Sequence, residues 1–305
     1  MVDFDRAYSD VIDILQDRPK SKNPICFKMY KGTNENLTKI FRRYDFKDKD
    51  VLSVLSSSDQ MMSSYYLGAS NVDTFDRNFT PYLFFYLKKW CMEYTGKSYL
   101  SASNRELMEC LDLHKDNAFE TNIAAFWRRV LVRTNGPLAE SELFFNNFAD
   151  FSGVPYENDV ETMTGIIRDK EPNFQFTDIF SETDFPKQYD VVVLSNILEY
   201  PYAYEEDETA TYERTKDNLL RALKDDGIVI CSSLIFERAI EKEIFSDSFD
   251  FHEGVYSYDL QRYKDKPISY SYTKKKKINS SFFILFINSW YSSCDSTSKF
   301  IWDCI

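Results

Sequence analysis

The sequence is poor in the residue types on which metal sites and triad hydrolases depend. Its 305 residues include two histidines, His114 and His252, and none of its six cysteines forms a C-x-x-C pair. Zinc sites are built mainly from cysteine and histidine, and a Ser-His-acid triad needs a histidine beside its nucleophile. We therefore expect no metal site and no triad hydrolase. The cysteines are Cys26, Cys91, Cys110, Cys231, Cys294 and Cys304.

The chain also lacks an excess of positive charge. It has 37 basic and 49 acidic residues and a formal net charge of −12. Proteins that bind nucleic acid generally carry a basic face that displaces counterions from the phosphates. Basic residues cluster at Arg128, Arg129 and Arg133 and in the run Lys274–Lys277. Because both clusters are small, we expect that the substrate is not a nucleic acid.

No apolar run is long enough to cross a bilayer. The segment Phe282–Ile287 is too short to span one and is interpreted as a buried strand. Residues Met1–Asp17 lack the pattern of a secretory signal peptide. We therefore expect a cytoplasmic protein without a transmembrane segment, whose thiols are reduced.

Glycine is scarce, with eight residues in the chain, and it is absent from the turn in the most informative segment. The apolar run Val51–Leu55 predicts a buried strand, which ends at a turn of three serines and an aspartate. A helix is predicted from about Gln60 to Leu67, capped by a serine or aspartate side chain, and Gly68 ends it. The next strand is predicted at Asn71–Asp76.

An acid at the end of that second strand indicates a ribose site. Asp76 follows Ser58 by 18 residues, and a carboxylate there can accept hydrogen bonds from two ribose hydroxyls. A dinucleotide fingerprint needs glycines that let the backbone approach a pyrophosphate, and this turn has none. The segment therefore favours a nucleoside cofactor without phosphate and disfavours an NAD(P)-dependent dehydrogenase. A strand–turn–helix–strand unit of a doubly wound fold without such a ligand is the structural alternative.

The rest of the chain alternates strands and helices, which predicts an α/β fold with a doubly wound, mostly parallel Rossmann-like sheet. A closing antiparallel hairpin is predicted from Ser269–Thr273 and Ser281–Asn288. Further strands are predicted within Asn173–Phe180 and at Val191–Leu194 and Ile228–Cys231, and helices at Phe79–Tyr94 and Thr209–Leu223.

Three regions are expected. Residues 1–50 form an N-terminal helical cap, residues 51–96 and 173–305 form the sheet domain, and residues 97–172 form a helical insertion that shapes the substrate pocket. The insertion is predicted because the sequence between the second and third strands is too long for a simple crossover and has helical periodicity.

The segment Val51–Asn78 resembles motif I of the class I S-adenosylmethionine (SAM)-dependent transferases. The resemblance implies that Ser56–Gln60 lie beside the methionine part of SAM and that Asp76 holds its ribose. Thr177 and Asp178 match the position that faces the adenine amino group, and Ser195 and Asn196 match the motif IV loop. The residues expected to bind the cofactor are Ser56, Ser57, Ser58, Asp59, Gln60, Asp76, Arg77, Asn78, Thr177, Asp178, Ser195 and Asn196.

Glu199 and Tyr200, just past the fourth strand, are the candidate catalytic residues, as a base or as groups that orient the acceptor. A structural role is the alternative for both residues: a helix-entry acid and a ring packed beside Pro201.

In its serine-rich turn the chain is similar to the aminocarboxypropyl transferases of betaine-lipid synthesis and their uncharacterised bacterial relatives, although Ser58 stands where that pattern has glycine. Two functions stay open. One is a SAM-dependent transferase that moves a methyl or a 3-amino-3-carboxypropyl group to a small-molecule or lipid-like acceptor. The other is a non-catalytic protein of the same fold that binds a nucleoside-like ligand or a protein partner.

Overall fold

The structure is a computed structural model of the 305-residue chain. It describes residues 4–15, 32–33, 35–114, 117–134, 136–141, 143–144, 153–156, 158–199, 207–232, 243–253 and 269–275. In this part of the chain, no helix is long and apolar enough to cross a membrane.

Within the described ranges, seven strands form one mixed sheet in the order β3-β2-β1-β4-β5-β7-β6. The first five strands are parallel, and β7 runs antiparallel to both β5 and β6. The strands are β1 Asp50–Val54, β2 Asn71–Asp76, β3 Asn173–Phe176, β4 Tyr189–Ser195, β5 Leu223–Ser232, β6 Phe249–Glu253 and β7 Ser269–Lys274. The predicted doubly wound, mostly parallel sheet is confirmed.

Helices cover both faces of this sheet, as parallel sheets require. The alternation of side chains along a strand divides the core in two, so that Val51 and Val191 face one layer while Leu52 and Val192 face the other. The first layer contains buried residues of α1 to α7, and the second contains α8. The helices are α1 Phe4–Leu15, α2 Leu37–Phe41, α3 Asp59–Tyr66, α4 Thr80–Thr95, α5 Asn104–Leu113, α6 Ala118–Leu131, α7 Val160–Ile167 and α8 Glu208–Ala222.

The antiparallel end of the sheet differs from the prediction in its partner. The expected closing pair of antiparallel strands is present, but β7 pairs with β6 and with β5, so both of its edges are occupied. The hairpin predicted between Ser269–Thr273 and Ser281–Asn288 is therefore wrong in its second strand. Ser281–Asn288 itself lies outside the described residues.

Among the described residues between β2 and β3, four α-helices, α4 to α7, follow one another along the chain. The indole N–H of Trp127 in α6 donates to the backbone oxygen of Leu83 in α4 at 2.8 Å, which ties these two helices together. The N-terminal helix α1 packs on α6, because the guanidinium of Arg129 lies 3.6 Å from the ring centroid of Tyr8. Arg6, Ala7 and Asp10 of α1 line a cavity together with Arg77 and Asn78, which follow β2.

Candidate functional site

The turns at the carboxyl ends of β1 and β4 define the candidate site. These strands are neighbours, and the strand order reverses between them, since β2 and β3 lie on one side and β5 on the other. Open α/β sheets bind ligands in the crevice at such a switch point. Ser56–Gln60 follow β1, and Ser195 and Asn196 end β4 at the same edge.

The backbone of these turns adopts a conformation that glycine usually supplies. Ser56, Ser58 and Ser195 have φ angles of 43°, 70° and 58°. A left-handed conformation of a residue with a side chain costs on the order of 1–3 kcal/mol and clusters at functional sites. Ser58 is the N-cap residue of α3, but its side chain makes no capping hydrogen bond. The serine or aspartate cap that was predicted for this helix is supplied instead by Ser57, whose hydroxyl accepts from the backbone N–H of Asp59 at 3.5 Å.

Asp76 joins the turn after β1 to the turn after β2. Its carboxylate accepts hydrogen bonds from the backbone N–H of Ser56 at 3.1 Å and of Asn78 at 2.9 Å. Burial raises its pKa from the usual 3.8 to about 6, although the N–H groups of Asn78 and Ser56 and the charge of Arg77 lower it. The carboxylate therefore changes its charge close to neutral pH.

A cavity of about 220 Å³ adjoins these residues. The rings of Phe79 and Phe176 stack there with their centroids 4.2 Å apart. Asp178, which follows β3, lies 3.7 Å from the guanidinium of Arg77. The cavity is smaller than the range of about 300–1,000 Å³ that is usual for drug-sized ligands, so it suits one flat ring system. Its lining residues are Arg6, Ala7, Asp10, Arg77, Asn78, Phe79 and Phe176.

The buried carboxylate of Asp59 holds the serine turn, Ser56–Ser58, in place. The Asp59 carboxylate accepts from the Lys88 ammonium at 3.0 Å and from the Tyr156 hydroxyl at 2.7 Å through one oxygen. Its other oxygen accepts from the Thr33 backbone N–H at 2.7 Å and from the Ser57 hydroxyl at 2.9 Å. Lys88 also donates to the backbone oxygen of Ser57 at 2.6 Å. The Asp59 carboxylate is therefore engaged by the protein itself.

A second acid, Glu35, lies at the switch point. One of its carboxylate oxygens accepts from the hydroxyls of Ser195 and Ser232, at the ends of β4 and β5. Its other oxygen lies 3.4 Å from the side-chain amide nitrogen of Gln60 in α3. Glu35 therefore links the segment before α2 to three elements of the site.

The predicted cofactor residues separate into groups around this one edge. Arg77 and Asn78 line the cavity, and Asp178 pairs with Arg77. Gln60, Ser195 and Asn196 lie in the Glu35 cluster.

The hydroxyl of Thr177 lies 2.8 Å from the hydroxyl of Thr183, and Thr177 does not line the cavity. Glu199 ends the 3₁₀ turn Ile197–Glu199, and Tyr200 lies outside the described residues. Their catalytic roles stay predictions.

Sequence analysis missed Glu35, Lys88 and Tyr156. Each reaches the site by a long-range contact: Lys88 is 29 residues from Asp59, Tyr156 is 97, and Glu35 is 160 residues from Ser195. A cluster of polar residues before α2 is the only local signal for Glu35, and Lys88 lies in a helix of mainly apolar residues. Hydrophobic periodicity predicts helices and strands but not side-chain contacts between residues that are distant in sequence.

The first prediction concerns the strained turn. Ser58→Gly should stabilise the protein by about 1–2 kcal/mol, because it removes left-handed strain and a buried hydroxyl that has no hydrogen-bond partner among the described residues. Ser63→Gly is the matched control, since its hydroxyl is also buried and unpartnered there but its backbone is helical. The control should not stabilise, because glycine costs about 1 kcal/mol inside a helix. If Ser58→Gly and Ser63→Gly change the free energy of unfolding in urea equally, backbone strain at Ser58 is not the cause of the effect.

The second prediction concerns the buried ion pair. Lys88→Met should destabilise the protein by about 3–5 kcal/mol, because it leaves the Asp59 charge buried without its cation. Adding Asp59→Asn should cost less than the sum of the two single changes, with a coupling of about 1–3 kcal/mol in urea unfolding. The exposed pair Arg105 and Glu109 serves as the control cycle, with an expected coupling near 0.3–0.5 kcal/mol. Additive effects at Asp59 and Lys88 would show that the two do not interact.

No family model matches the chain, and no curated protein matches it. Solved structures of similar fold include the N-methyltransferase NodS from Bradyrhizobium japonicum WM9 in complex with S-adenosyl-L-homocysteine (SAH), at 10% identity and a TM-score of 0.42, covering 88% of this chain and 99% of NodS. The rRNA methyltransferase aviRa from Streptomyces viridochromogenes is 11% identical with a TM-score of 0.39, covering 87% and 91%. The ribosomal protein L11 methylase from Lactobacillus delbrueckii subsp. bulgaricus is 13% identical with a TM-score of 0.35, covering 77% and 74%.

Proposed function

We propose that the protein is a SAM-dependent transferase that acts on a small-molecule or lipid-like acceptor. One observation carries this proposal: the Asp76 carboxylate ends β2 and is bonded to the N–H of Ser56 in the turn after β1, and the three residues that follow it, Arg77–Phe79, line a ring-sized cavity. An acid at this position of a doubly wound sheet is suited to two ribose hydroxyls. The resemblance of Val51–Asn78 to motif I supports the same ligand.

The residues around Asp76 fit the nucleoside half of SAM. The stacked rings of Phe79 and Phe176 offer an apolar face to a purine, and Asn78 adds an amide beside them. Asp178 follows β3 and pairs with Arg77, which lines the cavity, so we propose its carboxylate as the hydrogen-bond acceptor for the adenine amino group. These residues would hold the base and the ribose.

The turn Ser56–Gln60 would lie against the methionine half. The usual motif has glycines in this turn. Here Ser56 and Ser58 adopt the left-handed conformation that glycine would supply, so the turn can have the same backbone shape. SAM would supply a sulfonium-activated carbon, so the protein's own task is to orient the acceptor and to accept a proton. Glu199 and Tyr200 are proposed for that task. The group transferred is methyl or 3-amino-3-carboxypropyl.

The third prediction tests the cofactor by isothermal titration with SAH and 5′-methylthioadenosine, the products left by methyl and by aminocarboxypropyl transfer. Wild-type protein should bind with micromolar affinity, about −8 kcal/mol. Asp76→Ala should abolish binding, whereas Asp112→Ala, which changes an acid on α5, should leave it unchanged. Wild-type protein that binds neither compound would favour the non-catalytic alternative.

The fourth prediction concerns pH. Only the ionised Asp76 accepts bonds from both ribose hydroxyls, and its pKa is about 6, so SAH affinity at pH 5 should be about tenfold lower than at pH 7.5. Asp76→Asn should remove this dependence. The free energy of unfolding should depend on pH in the opposite direction. Because the pKa of Asp76 is higher in the folded protein than in the unfolded chain, its contribution to stability is present below pH 4 and is lost as the pH rises through 6. An affinity that is flat between pH 5 and 7.5 would contradict the role of Asp76.

A further inference from the structure

Helix α1 forms one wall of the cavity. Arg6, Ala7 and Asp10 of this helix line it, and Arg6 and Asp10 are four residues apart, so they lie side by side on the helix. The other lining residues come from the segment between β2 and α4 and from the end of β3. The cavity is therefore complete only while α1 is docked.

Other residues of α1 make the contacts that hold it on α6. The Arg129 guanidinium lies 3.6 Å from the ring centroid of Tyr8. The Tyr8 ring also meets Phe126 edge to face, and Phe4 meets Phe119 in the same way, both with centroids 6.3 Å apart. Tyr8 is partly exposed and Arg129 is exposed. A change at Tyr8 or Arg129 therefore alters the docking of α1 without altering the side chains that line the cavity.

Helix α6 is itself tied to the framework of the site. The buried indole of Trp127 donates to the backbone oxygen of Leu83 in α4 at 2.8 Å. Helix α4 also carries Lys88, whose ammonium lies 3.0 Å from the Asp59 carboxylate at the serine turn. The cation–π contact between α1 and α6 is more exposed than these bonds and therefore weaker. We expect α1 to open before the other walls of the cavity do.

We infer that Arg129 is a positioning residue for the ligand site, because by packing on Tyr8 it holds α1 against the cavity. Opening of α1 gives the ligand a way in and out, and docking of α1 retains it, so this contact acts mainly on the rate at which the ligand leaves. Arg129 itself does not line the cavity. The inference rests on the proposed function, since it assigns the cavity to the nucleoside half of SAM.

The test is a double-mutant cycle that is read out in ligand binding. Arg129→Met keeps a long apolar chain and removes the guanidinium, and Tyr8→Leu removes the ring; the two are made singly and together. Arg128→Met is the matched control, since this neighbouring arginine on α6 bonds to Asp112 and to a backbone oxygen of α5. Affinities and dissociation rates are measured for SAH and for adenosine. Hydrogen exchange of the α1 amides is measured with and without each ligand.

Arg129→Met should speed both SAH dissociation and exchange of the α1 amides by about two- to fivefold, the effect of losing an exposed cation–π contact. Tyr8→Leu should have at least this effect, and Arg129→Met should add nothing to it in the double variant. Bound SAH should slow exchange of α1 in the wild-type protein. Arg128→Met should leave the dissociation rate and the exchange of α1 unchanged, because its guanidinium bonds to α5.

If SAH leaves Arg129→Met and Tyr8→Leu as slowly as it leaves the wild-type protein, the inference is overturned while the proposed function stands. Effects of the two changes that simply add also overturn it, since Arg129 then does not act through Tyr8.

If wild-type protein binds adenosine but not SAH, the proposed function fails, and the same cycle with adenosine decides the inference. Binding of neither compound overturns both. Thermal unfolding checks that each variant folds. If Tyr8→Leu does not fold, the dissociation rate from Arg129→Met and the effect of the ligand on wild-type α1 exchange decide.

Discussion

The buried carboxylate of Asp59 is the interaction on which the site depends. It receives the Lys88 ammonium from α4, the Tyr156 hydroxyl, the Thr33 backbone N–H and the Ser57 hydroxyl, so four segments that are distant in sequence converge on one charge. A buried charge is stable only when it is paired and hydrogen-bonded, so displacing any one of these segments would destabilise the contacts of the others with Asp59. The serine turn takes its shape from this anchor, and the segment that carries Glu35 is tied to it through Thr33.

The serine turn held by Asp59 connects two different groups of side chains along one edge of the sheet. Toward β2 and β3, Asp76 and the rings of Phe79 and Phe176 form the polar and aromatic surface at which we propose that the nucleoside binds. Toward β4 and β5, Glu35 and Gln60 form a buried polar cluster with Ser195. The turn after β1 contributes to both, since Ser56 bonds to Asp76 and Gln60 to Glu35.

Local patterns predicted the sheet well and the site only in part. The strand β2 has its predicted bounds, and β1 and β4 follow from apolar runs, because strands buried on both faces read as continuous apolar sequence. The partner of β7 was predicted wrongly, since antiparallel pairing can join any two strands and sequence adjacency favoured the next segment. The Lys88 and Glu35 contacts were missed for the same reason: a single polar residue carries no signal of a partner 29 or 160 residues away.

Electrostatics at the switch point separates the ligand classes that the fold could take. Doubly wound folds that bind dinucleotides place a pyrophosphate on the helix after β1, where glycines and free N–H groups receive it. Here Asp59 occupies the first turn of that helix, and Glu35 lies against its second residue, Gln60. The side chains of three serines, Ser56–Ser58, also stand where that turn would have glycines, so the backbone cannot approach a pyrophosphate as closely. The glycine-free turn and these two acids therefore disfavour a dinucleotide at this end of the sheet and agree with the cofactor that we propose, which carries no phosphate.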